Sequence, residues 1–258
     1  VIGVVPNDEA ALEPVLEKAR AAGIKVVSHE GPGINNVDWN FEMASAQGFG
    51  ETHAELLAQK MGGKGEYAVF VGSLTVPLHN AWADAAIAHQ KKLWPKMQLV
   101  SERFGVAESL DDSYRSAQDL MRAHPDLKGF LAFGSQGPIG AGRAVADARK
   151  ADRIAVVGSF SPGQGAKLVR DGVIREGFIW NPGLAGEVIA APTAATALPG
   201  GICWASATAS STPSALGSGL GPLGGRMPST GLWVTSRSRP QCLYSPRQAA
   251  RAMAMLRG

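Results

Sequence analysis

Between Phe70 and Ala86 the chain reads FVGSLTVPLHNAWADAA, which places Ser73, Thr75, His79, Asn80 and Asp84 close together. A hydroxyl, an imidazole and a carboxylate are the parts of a nucleophilic triad, in which the acid orients the base and the base takes the hydroxyl proton. The pattern argues against that use. Ser73 is not on the Gly-x-Ser-x-Gly elbow that lifts a nucleophile above a strand-to-helix turn. Asp84 falls one helical turn beyond Asn80, facing solvent or a neighbouring helix. Two other uses of the loop remain: gripping a ligand through His79 and Asn80, or starting a helix, for which Asn is a favoured cap.

Other chemistries are weaker. GSQGPIGAG follows a strand and opens a helix, but Gly134, Gly137, Gly140 and Gly142 do not have the Gly-x-Gly-x-x-Gly spacing. GGKGEY near Gly63 lacks the hydroxyl of a phosphate loop. These glycines read as packing devices. Cys203 and Cys242 both lie late in the chain, so a thiolate metal site or Cys nucleophile is excluded before them. The five histidines, at 29, 53, 79, 89 and 124, form no His-x-x-x-His pair. Only His29 and His79, beside Glu30, could converge, which is thin support for a metal; neither metal nor cofactor is expected. What remains is a set of neutral polar groups, one carboxylate (Glu30) and two aromatics (Phe133 and Trp180). Sugars need this mixture, because hydroxyls want partners that donate and accept while the C–H face of the ring packs on aromatic side chains. Each residue also has a purely structural reading: Asn80 as a cap, Trp180 as core at a strand end, Asn181-Pro182 as a helix start.

The elements that must position these groups alternate. Apolar runs predict strands at Val1–Val5, Ile24–Ser28, Tyr67–Gly72, Met97–Ser101, Gly129–Phe133, Ile154–Gly158 and Val173–Trp180. Most are continuous rather than alternating, as strands covered on both faces are. Helical patterns lie between, in NDEAALEPVLEKARAAG and near Gly50–Met61, Asn80–Trp94, Asp111–Ala123, Pro138–Lys150 and Gly183–Ala197. Asn7 or Asp8 can cap the first helix and Gly23 suits its end, with Pro14 in conflict. This order predicts an α/β fold of right-handed crossovers and parallel sheets, whose ligands bind beyond the carboxyl ends of the strands. One rim then collects Pro6–Asp8, His29–Gly33, Ser73–Asn80, Gly134–Gly137 (with Ser135 and Gln136), Ser159–Gln164 and Trp180–Gly183.

The chain has 258 residues and a formal net charge of +3, but the sign misleads. After Glu187 there are six Arg and no Lys, His, Asp or Glu, which leaves 19 basic against 22 acidic residues before that point. A mildly acidic body without a basic, aromatic-studded patch excludes nucleic acid as a partner. No run of about 20 apolar residues marks a membrane span, and no signal peptide is recognisable. The chain opens inside a strand, so residues are expected to be missing in front. Residues 199–258 lose all periodicity and are rich in Gly, Ser and Pro. They read either as a disordered tail or as frame-shifted sequence, and no function is placed there.

Four stretches resemble a known family: VVPNDEAALEPVLEKARAAGIKVVSHE, GKGEYAVFVGSLTVPLHNAWADAA, HPDLKGFLAFGSQGPIGAGRAV and IAVVGSFSPGQGAKLVRDGVIREGFIWNP. Together, over about residues 1–198, they are similar to periplasmic sugar-binding proteins of ABC importers, in the ribose, rhamnose and autoinducer-2 group. The resemblance implies periplasmic binding protein type I architecture: two Rossmann-like lobes with parallel sheets that close on a ligand by a hinge. The first lobe would be residues 1–45 plus 181–198, incomplete by an opening strand–helix–strand portion, and the second lobe residues 46–180. It also implies a small sugar-like ligand, an importer permease as partner, a periplasmic location, a monomer and no catalysis. By position it assigns the ligand to Glu30, with His29 beside it, to Leu78, His79 and Asn80, to Phe133, Ser135 and the neighbouring Gln136, and to Trp180 and Asn181. The autoinducer-2 subgroup carries an acid and a Gln where this chain has Leu78 and His79, which counts against that ligand. Two rival readings are a sugar-responsive transcription repressor core without its DNA-binding domain, and a sugar-processing enzyme.

Overall fold

The computed structural model describes residues 1–195 together with 232–235 and 241–242. Strand β1 (Ile2–Val4) leads into helix α1 (Glu9–Ala21), then β2 (Val26–His29) and β3 (Trp39–Phe41). The three strands pair in parallel in the order β1-β2-β3. Of the two candidate caps for α1 the structure uses Asp8, whose carboxylate accepts the Ala11 N–H at 3.0 Å. Gly23 follows the helix with φ +75°, the left-handed geometry a helix end favours, and Pro14 is accommodated inside it. Helix α7 (Pro182–Ala195) returns to lie on this sheet. A Cβ at Gly3 would come within 2.4 Å of Ile189, so only glycine allows that approach. We call this three-stranded unit the first lobe.

The second lobe is larger. Its elements are α2 (Ala46–Met61), β4 (Gly65–Val71), α3 (Pro77–Leu93), β5 (Met97–Leu99), β6 (Phe104–Gly105), α4 (Leu110–Ala123), β7 (Leu127–Phe133), α5 (Gly137–Asp147), β8 (Ala155–Gly158), α6 (Pro162–Arg170) and β9 (Ile174–Ile179). The strands run parallel in the order β5-β4-β7-β8-β9, with β6 beside the end of β4. Side chains of β4 alternate between two cores. Ala68 and Phe70 join Phe130, Ala132 and Val156 under α4 and α5. Tyr67, Val69 and Val71 join Leu131, Phe133 and Val157 under α2 and α3. Both faces are dry, which is why the strand reads as an unbroken apolar run.

Several boundaries differ from expectation. α2 begins at Ala46 rather than Gly50, because the Ser45 hydroxyl accepts the Gly48 N–H at 3.1 Å and starts the helix earlier. α3 begins at Pro77 rather than Asn80, since proline fits a first helical turn and has no N–H to leave unpaired. Strands β3 and β6 and helix α6 were not expected. Within 199–258, β10 (Leu232–Thr235) pairs antiparallel with β9, and β11 (Gln241–Cys242) with β10. The rest of the expectation for that stretch lies outside the described residues.

Candidate functional site

The first lobe brings its polar groups to the end of β2. Glu30 follows that strand with φ +61°, a backbone region that non-glycine residues rarely occupy and that clusters at ligand sites. The loop behind it is tied to α1: the Glu13 carboxylate accepts the backbone N–H and side-chain amide of both Asn35 and Asn36, and Glu9 accepts the Gly33 N–H at 3.0 Å. His29, 4% exposed, stacks on Phe41 with ring centres 4.6 Å apart. Its Nδ1 donates to the Phe41 carbonyl at 3.0 Å. In the neutral ring Nε2 is therefore an acceptor, and it has no hydrogen-bond partner among the described residues. Oε1 of Glu30 and Oε1 of Glu42 are likewise bare. The Glu30 oxygen lies 3.9 Å from His29 Nε2, and Glu42 Oε2 lies 3.8 Å from His29 Nδ1. Burial pushes the Glu30 carboxyl up to about 7, with the charges of Glu42 and Glu108 adding to it. Burial also pushes Glu42 up to about 7 and lowers His29, so uncharged forms are favoured at all three.

The second lobe arranges its rim differently. His79 Nδ1 accepts the Gly72 N–H at 3.1 Å, so the neutral ring carries its hydrogen on Nε2. Burial takes its pKa down to about 4. The Asn80 amide donates to the carbonyls of Ser73, Leu74 and Val76 and accepts from Arg103. Asn80 thus braces the loop from inside the helix instead of capping it, because α3 already begins at Pro77. Arg103 also pairs with Asp84, and the Ser73 hydroxyl lies 2.9 Å from that of Thr75. Ser73, His79 and Asp84 therefore have other partners and do not assemble as a triad. Ser135 donates its N–H and hydroxyl to Glu108 at 3.3 and 2.9 Å. Gln136 donates to Gln164 at 3.3 Å.

Two side chains assigned to the ligand lie away from the rim, and a third bears out its reading as a helix start. Leu78 and Phe133, 2% and 0% exposed, pack inside the core beneath α2 and α3 instead of lining the rim, because both point down among apolar neighbours. Asn181 Oδ1 accepts the N–H groups of Gly183 and Leu184 at 2.9 and 3.2 Å, so it caps α7. Trp180 is half-buried and spans the lobes. It meets His29 edge-on at 5.9 Å on one side, and Phe49 and Trp82 at 5.7 and 5.5 Å on the other.

The structure therefore brings together His29, Glu30, Trp180 and, through Glu108, the loops holding His79, Ser135 and Gln136. It adds three residues the sequence reading missed. Glu42 follows the unexpected β3. Trp82, 3% exposed, stacks on His79 at 4.9 Å and holds a bare Nε1–H among the described residues. Glu108 fills space left by two strand-end glycines: a Cβ at Gly72 or Gly134 would lie 3.1 or 3.0 Å from its side chain. Those glycines, each following a buried strand, were the available signal for a group approaching there. The expectation of a single carboxylate is thus replaced by three. Among the described residues no cluster of His, Cys, Asp and Glu has the form of a metal site, and no helix is long and apolar enough to cross a membrane.

Comparison with known proteins gives the same architecture. A family model described as "Periplasmic binding protein domain" matches residues 1–199. A glucose-galactose binding protein from Geobacillus stearothermophilus superposes with a TM-score of 0.66 at 18% identity, over 77% of this chain and 72% of that one. An ABC transporter solute binding protein from Agrobacterium vitis, bound with alpha-D-tagatopyranose, gives 0.69 at 21% identity, over 76% and 68%. Another from Clostridium phytofermentas, with bound L-rhamnose, gives 0.68 at 22% identity, over 76% and 63%. The likeness to these three structures concerns the fold, and this chain spans roughly two thirds of their lengths.

Proposed function

The chain belongs to the family of periplasmic binding protein domains, and from that premise we propose that it is the solute-binding protein of an ABC importer. It takes a small sugar or sugar-like ligand, of ribose, rhamnose or autoinducer-2 type, between its lobes and delivers it to a membrane permease from the periplasm, as a monomer and without catalysis. One observation carries the reading. His29 Nε2, Glu30 Oε1, Glu42 Oε1 and Trp82 Nε1–H are buried polar atoms without hydrogen-bond partners among the described residues, in a region walled by Phe41, Trp82 and Trp180. Each such atom costs about 1–3 kcal/mol when left unpaired. Ligand hydroxyls supply the missing partners, and the aromatic rings supply a face for the sugar's C–H groups. Binding shifts the population toward the closed arrangement, because only there do both lobes touch the ligand.

The test is a thermal-shift screen of the full chain against monosaccharides. A ligand held at about 100 times its Kd stabilises by about 2.7 kcal/mol, a rise of several degrees in Tm for a protein of this size. Absence of a shift with every pentose, hexose and 6-deoxyhexose in the panel contradicts the proposal.

A further inference from the structure

The geometry points to a ligand that carries a protonated amine, an amino sugar rather than a neutral one. This rests on the solute-binding reading and narrows its ligand class. Glu30 and Glu42 reach the cleft from the first lobe and Glu108 from the second. Among the described residues none of the three pairs with a Lys or Arg. Arg103, just before β6, is engaged by Asp84 and Asn80 instead. The cleft therefore holds three carboxyl groups and no Lys or Arg of its own to balance them once they ionise.

An acidic surplus alone says little, but the bare atoms beside it say more. His29 is 4% exposed, and its Nδ1 is occupied by the Phe41 carbonyl, so its Nε2 presents a lone pair. That lone pair and the bare Glu30 Oε1 are 3.9 Å apart. Two acceptors this close require two donors. A neutral sugar must bring two adjacent hydroxyls to fill both, while a single ammonium has three hydrogens and reaches both from one atom at ordinary N–H···acceptor distances of about 2.9 Å. The surroundings suit a cation too, because Phe41 and Trp180 flank His29 and aromatic rings attract positive charge. The bare Trp82 Nε1–H is a donor, so the same cleft also offers a partner to a ligand oxygen, as an amino sugar needs and a simple amine does not.

The two ligand classes leave opposite proton signatures. An ammonium favours the ionised carboxylates and drives protons off the protein. A neutral sugar dries the site further and makes it take protons up. The experiment is calorimetric titration of the full chain at pH 7 with glucosamine, galactosamine and mannosamine, and with glucose, galactose and mannose. Each titration is run in phosphate and in Tris, whose ionisation enthalpies differ. The expected result is that at least one amino sugar binds ten times or more tighter than its neutral parent, with net proton release, and that Glu30→Gln brings the pair within threefold. Neutral sugars binding as tightly, with proton uptake, would overturn the amine assignment and leave the solute-binding reading intact. Binding of no sugar from either set would overturn both.

Discussion

The two lobes meet the same cleft with opposite chemistry. The second lobe engages most of its rim groups internally, His79 with Gly72, Asn80 with three carbonyls and Ser135 with Glu108, and leaves the Trp82 Nε1–H bare. The first lobe leaves its own bare, at His29, Glu30 and Glu42. Their interiors differ in the same sense. The second lobe is a sheet covered on both faces by two extensive cores. The first has a small core of Leu16, Val26 and Ile34, and Val1, Val5 and Val15 are 46, 56 and 59% exposed. The contrast teaches a division of labour. A well-packed lobe can hold a fixed rim, while a lightly packed lobe carries the groups whose hydrogen bonds a ligand completes.

The lobes should differ most in stability. Phe130 is fully buried where β7 meets α4 and α5, and Phe130→Ala should cost about 3–5 kcal/mol. It should open the whole chain to limited proteolysis. Leu16→Ala, in the small core, should cost about 2 kcal/mol and leave a resistant fragment close to the proposed second lobe, residues 46–180. If Leu16→Ala instead exposes that fragment, the lobes fold as one unit and the division fails.

A smaller effect, of order 1–3 kcal/mol, lies in pH. Glu30 and Glu42 are raised from 4.5 to about 7. Their contribution to stability is present below about pH 4.5 and is lost as pH rises through 7. His79 is lowered from 6.5 to about 4, so its contribution is present above 6.5 and is lost on acidification. Urea midpoints should separate the two. Measured against wild type, the Glu30→Gln/Glu42→Gln variant should gain stability between pH 5 and 7.5, whereas His79→Gln should lose it. The same sign for both variants would mean that the lobes do not differ in this respect.

Much of this frame is legible in the residues. Continuous apolar runs gave away strands with two covered faces, and the spacing of rim loops placed His29 and Glu30 correctly at a strand end. What escaped has physical causes. β3 is three residues, Trp39–Phe41, whose pairing comes from β2 and not from any pattern of its own. Glu42 was lost with it. Helix α6, PGQGAKLVR, hides its amphipathic face behind a proline and two glycines, although proline suits its first turn. Glu108 sits just before Asp111 and Asp112, where an acid looks like part of the favourable first-turn charge of α4. Asn80 and Asn181 each carried two readings, ligand contact or helix start, because an amide serves a backbone and a sugar equally well. Only geometry shows which one it meets.

In this division the first lobe supplies the bare acceptors, and the second supplies the frame together with the Trp82 donor. The division is tested most directly by the affinities of two variants for whichever monosaccharide the thermal screen identifies. Glu30→Ala removes a bare carboxylate and should weaken binding at least tenfold, about 1.4 kcal/mol, with little change in fold. Asn80→Ala removes a loop brace. It should lower Tm by several degrees while leaving affinity within threefold at a temperature where the variant is folded. Calorimetry that finds Asn80→Ala more damaging to binding than Glu30→Ala would contradict the account, because the recognising groups would then lie on the second lobe.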